Sequence, residues 1–278
     1  MSSIGILYIC TGPYVVFWND FFNTFEERFL PGIEKRYYVF TDQDSKIRKE
    51  SNVFVHHIEN QPWPLITLLR FHTFLNVEDE INKNDYLMFS NSNIVCKEAV
   101  GEEEFLPKEG ENLFFVEHPG YYKEKAKYAP FDRNKKSLAY VPYNCGNSYV
   151  IGAMFGGKTP AFLEMSKCLR YRINEDLKKG VIARWHDESH INRYIISRND
   201  YRLLSPSYCY PVGFDLPLTA KICGVSKQDK FDVNSFKGFY AKRHSIISND
   251  TKKKIVRIED DLLTLIDSIE MKKIERID

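Results

Sequence analysis

The sequence predicts an α/β fold built on a mostly parallel sheet, and three patterns carry that prediction. Ile4 to Ile9 is a continuous apolar run, the mark of a strand covered on both faces. Beyond a Gly12-Pro13 turn, Val15 to Phe29 repeats its apolar residues at helical spacing. Short β-branched and aromatic runs then alternate with helical stretches, the order in which crossover helices join parallel strands.

Taken in order, Tyr37 to Thr41 and Val53 to Val55 read as strands, and Leu65 to Val77 as a helix. Tyr86 to Phe89 is a further strand that runs into Asn91-Ser92-Asn93. Thr159 to Lys178 and Asp187 to Ser197 are helices, and Leu203-Leu204-Ser205-Pro206 is a short strand and turn. Ligands of such sheets sit at the carboxyl ends of the strands, where Thr11, Tyr14 and Asn91 fall. From about Lys227 the composition turns polar and lysine-rich. Within residues 255–274, Ile255, Ile258, Leu262, Leu265 and Ile269 fall near heptad spacing, which Lys272 interrupts. This amphipathic helix has three uses open to it: docking on the domain, self-association, or peripheral membrane contact. Its mixed charges favour the first two.

The bulk numbers bound the function. A chain of 278 residues, 43% apolar and 28% charged, buries a full core as one large domain with an appendage, divided here as 1–235 and 236–278. With 39 basic against 38 acidic residues the net charge is +1, which argues against nucleic acid as a partner. The 17 Tyr, 20 Phe and 3 Trp serve a packed core first and ligand stacking second. Six cysteines (Cys10, Cys96, Cys145, Cys168, Cys209, Cys223) are scattered without a C-x-x-C pair, so reduced thiols and a cytoplasmic protein are expected. The apolar run at the start is too short for a signal or a span, so no transmembrane segment is expected.

Residues 185–194 read Trp-His-Asp-Glu-Ser-His-Ile-Asn-Arg-Tyr. Aromatic faces stack on sugar rings, and carboxylates bind sugar hydroxyls or meet an anomeric carbon, so adjacent Asp187 and Glu188 beside Trp185 suit carbohydrate chemistry. His186 and His190 stand four apart, as in zinc hydrolases. Those enzymes place Glu directly after the first His, and no third ligand motif follows here, so no metal site is expected. Tyr149-Val-Ile-Gly-Ala-Met-Phe-Gly-Gly157 is a second glycine-rich block, in which Gly156-Gly157 permits close backbone packing.

These two stretches, in this order, resemble the donor-specificity segment and the signature of glycosyltransferase family 6, the blood-group A/B transferases and their bacterial relatives. The resemblance covers roughly residues 4–235 and implies a nucleotide-diphospho-sugar transferase (GT-A) fold. It implies a retaining α1,3-transferase that moves GalNAc or Gal from the UDP-sugar to the 3-OH of a β-galactoside, fucosylated as in the H antigen. A non-catalytic sugar- or nucleotide-binding protein is the alternative, disfavoured because binding alone has no need of Glu188.

Residue by residue, Ile9, Thr11 and Tyr14 match the segment that cradles uridine, and Arg70 matches a donor-binding arginine. Asn91 and Asn93 stand where metal-dependent relatives carry Asp-x-Asp; amides are poor ligands for hard cations, so the bacterial metal-independent type is implied, with no cofactor. Read by composition alone, Asn-Ser-Asn is a turn. Lys227 and Lys230 lie where relatives place cations that close over the diphosphate, although as isolated residues they read equally as solvated charges. Ile151, Gly152 and Ala153 match the tripeptide that separates GalNAc from Gal donors; Ala153 leans toward Gal by one methyl group, worth ~1–3 kcal/mol. Asp187 is expected to accept hydrogen bonds from the donor sugar. Glu188 is expected beneath the anomeric carbon, as nucleophile or as stabiliser of an oxocarbenium-like state. His118 matches an acceptor-binding position, Trp185 is expected to stack on the acceptor sugar and Glu188 to border it, whereas Pro130 and Pro211 replace a threonine and an acidic residue of the acceptor site. Soluble bacterial relatives imply a cytoplasmic enzyme of surface-polysaccharide synthesis, peripheral at the inner membrane.

Overall fold

A computed structural model describes residues 2–124, 128–143 and 145–232. The amphipathic helix expected within 255–274, and the whole of 236–278, lie outside the described residues. The strands are β1 (Ser3–Ile9), β2 (Glu34–Thr41), β3 (Val53–His57), β4 (Tyr86–Ser90), β5 (Ile94–Cys96), β6 (Leu113–Glu117), β7 (Val150–Lys158), β8 (Tyr201–Leu204) and β9 (Ile222–Gly224). The helices are α1 (Trp18–Arg28), α2 (Leu65–Leu68), α3 (Arg70–Leu75), α4 (Glu78–Ile81), α5 (Glu102–Phe105), α6 (Thr159–Lys178) and α7 (His186–Ile195). Seven strands form one sheet in the order β3-β2-β1-β4-β7-β6-β8, and β5 pairs with β9 beside it. All pairs in the large sheet are parallel except those of β7, which runs antiparallel to both β4 and β6. The sheet is thus mixed and mostly parallel, as the sequence predicts.

Burial on both faces explains the continuous apolar strands. On β1, Ile4, Ile6 and Tyr8 join the core under α1, whereas Leu7 points to the opposite core with α3, α6 and α7. Helix α1 supplies Trp18, Phe21, Phe22 and Phe25, a stripe at i, i+3, i+4, i+7 that a helix turns to one side. Two expected helices differ in detail. The segment from Val15 begins as a 3-10 turn over Gly12–Phe17, and regular α-helix starts only at Trp18. The helix expected over 65–77 breaks at Leu69, where φ −95° and ψ 11° leave the α region. Thr67 there spends its hydroxyl on the Pro64 carbonyl, a local bond that competes with helix propagation.

Strand order also places the site. From β1 the chain moves outward to β2 and β3, then returns to β4 on the other side of β1. The carboxyl ends of β1 and β4 therefore part around a crevice, the usual ligand position of an open α/β sheet. Strand β7 enters that crevice from the far side, pressed so closely against its neighbours that Gly156 has no room for a side chain. A Cβ there would lie 2.4 Å from the Leu87 carbonyl oxygen and 2.5 Å from the Phe114 ring.

Candidate active site

The turns after β1 and β4 build the first wall. Asp42 accepts the Gly12 N–H at 2.8 Å, and the Gln43 side chain donates to the Gly12 carbonyl, fixing the turn that presents Thr11 and Tyr14. Ile9, Thr11, Tyr14, Arg70, Asn91, Asn93 and Lys227 all line one cleft of about 510 Å³, a size suited to a small-molecule ligand. Asn91 hangs from β7 through its N–H to the Ala153 carbonyl (2.8 Å), and the Asn93 amide donates to the Val225 carbonyl at 2.9 Å. Ile151 and Ala153 line a second cleft of about 500 Å³, together with Tyr210 and Pro211, and it shares Asn91, Asn93 and Lys227 with the first. Lys227 sits 5.2 Å from the Tyr14 ring centre, within cation–π range. Lys230 lines neither cleft; its ammonium pairs with Asp20 on α1 at 3.2 Å.

Behind the first cleft lies a buried charge cluster. His186 adopts φ +54°, a left-handed conformation that few residues other than glycine take up, and its ring packs edge-on to Trp63 at 4.9 Å. The kink turns Trp185 outward, 43% exposed, and Asp187 inward, 3% exposed. Arg70, at the start of α3, meets Asp187 Oδ2 at 3.1 Å while its Nη1 donates to the Gly152 carbonyl at 2.6 Å. The guanidinium also stacks on Phe89, 4.2 Å from the ring centre. Arg70 Nε donates to the Thr67 carbonyl, so the buried Asp187 Oδ2 is held by the Arg70 charge rather than by a side-chain hydrogen bond. Glu188 is held at both oxygens: the Tyr149 hydroxyl donates to Oε1 and the Gly152 N–H to Oε2, each at 2.8 Å.

Both carboxylates occupy the first turn of α7, where the helix dipole favours negative charge by ~0.3–1 kcal/mol. Burial outweighs that effect. It pushes Glu188 up to about 7, against the pull of the Gly152 and Tyr149 hydrogen bonds, and Asp187 up to about 6, against the pull of Arg70. Gly152 is the hinge of the cluster: a Cβ there would come within 3.1 Å of Glu188 Cβ and 3.5 Å of Asp187 Oδ2.

His118 borders the cluster from the other side. Its N–H donates to the Tyr149 carbonyl at 2.8 Å, and its Nδ1 accepts the Gly120 N–H at 3.1 Å. Burial lowers its pKa to about 4, leaving a neutral ring that offers an Nε2–H donor. His190, by contrast, is fully buried beside Asp176, 3.6 Å away, and burial lowers its pKa to about 3. His186 and His190 thus part to different neighbours, and among the described residues no three His, Cys, Asp or Glu side chains converge as metal ligands. Tyr149 and Asp42 are contributors that the motif reading passed over. Tyr149 opens the quoted glycine-rich block, and Asp42 follows strand β2 at its carboxyl end, the location where ligand-facing turns belong.

A switch-point cleft backed by paired carboxylates and an arginine is the layout of a sugar-transferring enzyme. The chain belongs to glycosyltransferase family 6, whose profile matches residues 1–235. It is 38% identical over 226 residues to the O-antigen biosynthesis glycosyltransferase WbnI of Escherichia coli, covering 81% of this chain and 95% of that one. Histo-blood group ABO system transferase 2 of Rattus norvegicus is 29% identical over 217 residues, 75% of this chain and 64% of its own. Globoside alpha-1,3-N-acetylgalactosaminyltransferase 1 of Gallus gallus is 30% identical over 216 residues, 75% and 62% respectively. The chain spans less than two thirds of these two vertebrate relatives. Membership makes the protein a hexosyltransferase that takes a nucleotide sugar and an acceptor. Among the described residues no helix is long and apolar enough to cross a membrane.

Proposed function

We propose that the chain is a retaining α1,3-glycosyltransferase that moves galactose or N-acetylgalactosamine from the UDP-sugar to the 3-hydroxyl of a fucosylated, H-antigen-like β-galactoside, without a metal ion. The observation that carries this reading is the Glu188 carboxylate, fixed at both oxygens beside the Arg70–Asp187 pair and behind the cleft at the ends of β1 and β4. Uridine occupies the Ile9–Thr11–Tyr14 wall, with the base stacked on Tyr14. Asp187, charged beside Arg70, accepts a hydroxyl of the donor sugar. Glu188 opposes the positive charge that develops at the anomeric carbon as the bond to UDP stretches. Lys227, shared by the two clefts, meets the departing diphosphate in place of a cation, and Asn91 and Asn93 supply neutral amides. Lys230 joins it by releasing Asp20.

The acceptor lies against Trp185 and His118, whose neutral Nε2–H suits a sugar hydroxyl. Ala153 leans the donor toward galactose. The names of the relatives, an O-antigen enzyme and a blood-group transferase among them, support a product of the blood-group or O-antigen type, and we place its synthesis in the cytoplasm, at the inner membrane. Purified protein is given UDP-Gal or UDP-GalNAc and 2′-fucosyllactose, with and without EDTA. Transfer that persists in excess chelator and changes little on adding Mn²⁺ is expected. Activity lost on chelation and restored by Mn²⁺ overturns metal independence, and UDP binding without any transfer turns the reading to a non-catalytic binding protein.

A further inference from the structure

We propose that Tyr149 is a positioning residue of the transfer reaction: one side-chain hydroxyl aims the Glu188 carboxylate while the same residue's backbone places His118. Tyr149 is 3% exposed, and its hydroxyl donates to Glu188 Oε1 at 2.8 Å. Its carbonyl accepts the His118 N–H, also at 2.8 Å. Its ring is clamped edge-on by Phe131 at 5.1 Å and Tyr121 at 5.6 Å, with the His118 ring 5.6 Å away. A ring packed on three sides cannot swing, so the hydroxyl stays where Oε1 must come to meet it. The other oxygen is fixed by the Gly152 N–H, and Gly152 is tied through its carbonyl to Arg70. The carboxylate thus receives one donor at each oxygen, and rotation about its last bond loses both.

Tyr149 acts only as a donor. Burial and the adjacent carboxylate raise its phenol far above the ordinary tyrosine range, so it neither accepts a proton nor attacks sugar at working pH. The groups facing Glu188 are Tyr149 and Gly152 on and beside β7, Arg70 on α3, Asp187 on α7 and the Cys209 thiol. Of these, Tyr149 and Gly152 favour the ionised carboxylate through hydrogen bonds and Arg70 through its charge, while burial and Asp187 oppose it. Loss of the Tyr149 hydroxyl removes one stabilising donor, so the carboxylate holds its proton to higher pH. The active, ionised form is then lost earlier as pH falls.

This inference rests on the catalytic reading of Glu188, and the test keeps the two apart. Tyr149→Phe retains the ring and the backbone link to His118. Expected are a roughly tenfold fall in kcat and an acidic limb of the pH profile moved up by about one unit, with UDP affinity by calorimetry and acceptor KM unchanged. An unchanged kcat and limb overturns the proposal, as does a loss of UDP affinity that matches the loss of rate, which marks a scaffold residue. Glu188→Gln run alongside separates the readings: if it stays active, the catalytic role of Glu188 falls; if it is inactive while Tyr149→Phe behaves as wild type, only the positioning role falls.

Discussion

The ends of β4 and β7 lie side by side at the cleft, joined by the Asn91–Ala153 hydrogen bond, and they handle charge in opposite ways. Behind β7, Arg70, Asp187 and Glu188 are packed among core side chains, each held by neighbours on a different element. After β4, Asn91-Ser92-Asn93 presents no charge at all, and the nearby cation, Lys227, comes from a segment about 135 residues further along the chain. Charge that must meet a developing cation within about an ångström is built on rigid strands and helices. Charge that must meet a large, solvated diphosphate tolerates a looser mounting, because a point charge acts over a longer range.

The hardest blow to this contrast comes from Glu188→Gln, which preserves shape and removes the charge. Transfer should fall about a thousandfold or more, ~4 kcal/mol of transition-state stabilisation, while UDP titrates as in wild type. Asp187→Asn should weaken donor-sugar binding as well as rate, since it also unbalances the buried Arg70. Retained activity in Glu188→Gln removes the rigid half of the comparison.

The looser half is sharpened by the two lysines. Lys227→Ala should cost ~2–4 kcal/mol in turnover. Lys230→Ala should cost less, up to ~2 kcal/mol, because Lys230 must first give up its surface pair with Asp20 before it meets the diphosphate. A double mutant no slower than wild type makes both lysines ordinary surface charges. Least in size is Ala153→Gly, which should raise the GalNAc-to-Gal preference by roughly tenfold through one methyl group. An unchanged ratio in a two-donor competition places donor choice elsewhere, the second cleft around Tyr210 and Pro211 being the nearest alternative.

What was legible in the sequence follows the same divide. Strand and helix periods are local, so β1, β4 and α6 read off the chain almost to the residue. The glycine-rich block and the Trp185–Tyr194 motif were legible because close packing and carbohydrate chemistry each restrict residue type. The antiparallel direction of β7 was not, since strand polarity is set by where the chain re-enters the sheet and leaves no mark on the residues themselves. Nor was the Tyr149–Glu188 bond, which spans 39 positions and depends on a turn at His186 that no composition announces. Lys227 and Lys230 looked equivalent in sequence. Three residues of chain direction separate a lysine over Tyr14 from one drawn off to α1.

Asn93 carries a consequence on a longer timescale than catalysis. Its side-chain amide donates to the Val225 carbonyl at 2.9 Å, and its own carbonyl accepts the Val225 N–H at 2.8 Å, a two-bond clasp two residues ahead of Lys227. A carboxylate has no proton to give, so Asn93→Asp would set an anionic oxygen against a carbonyl oxygen and undo the side-chain half of the clasp, leaving only the backbone bond. On the metal-independent reading proposed above, the substitution that looks on paper like half of a cation site would first loosen the segment that carries Lys227. The two charge arrangements would then exclude each other stepwise: the first change toward a cation site loosens one counter-charge before the other is in place.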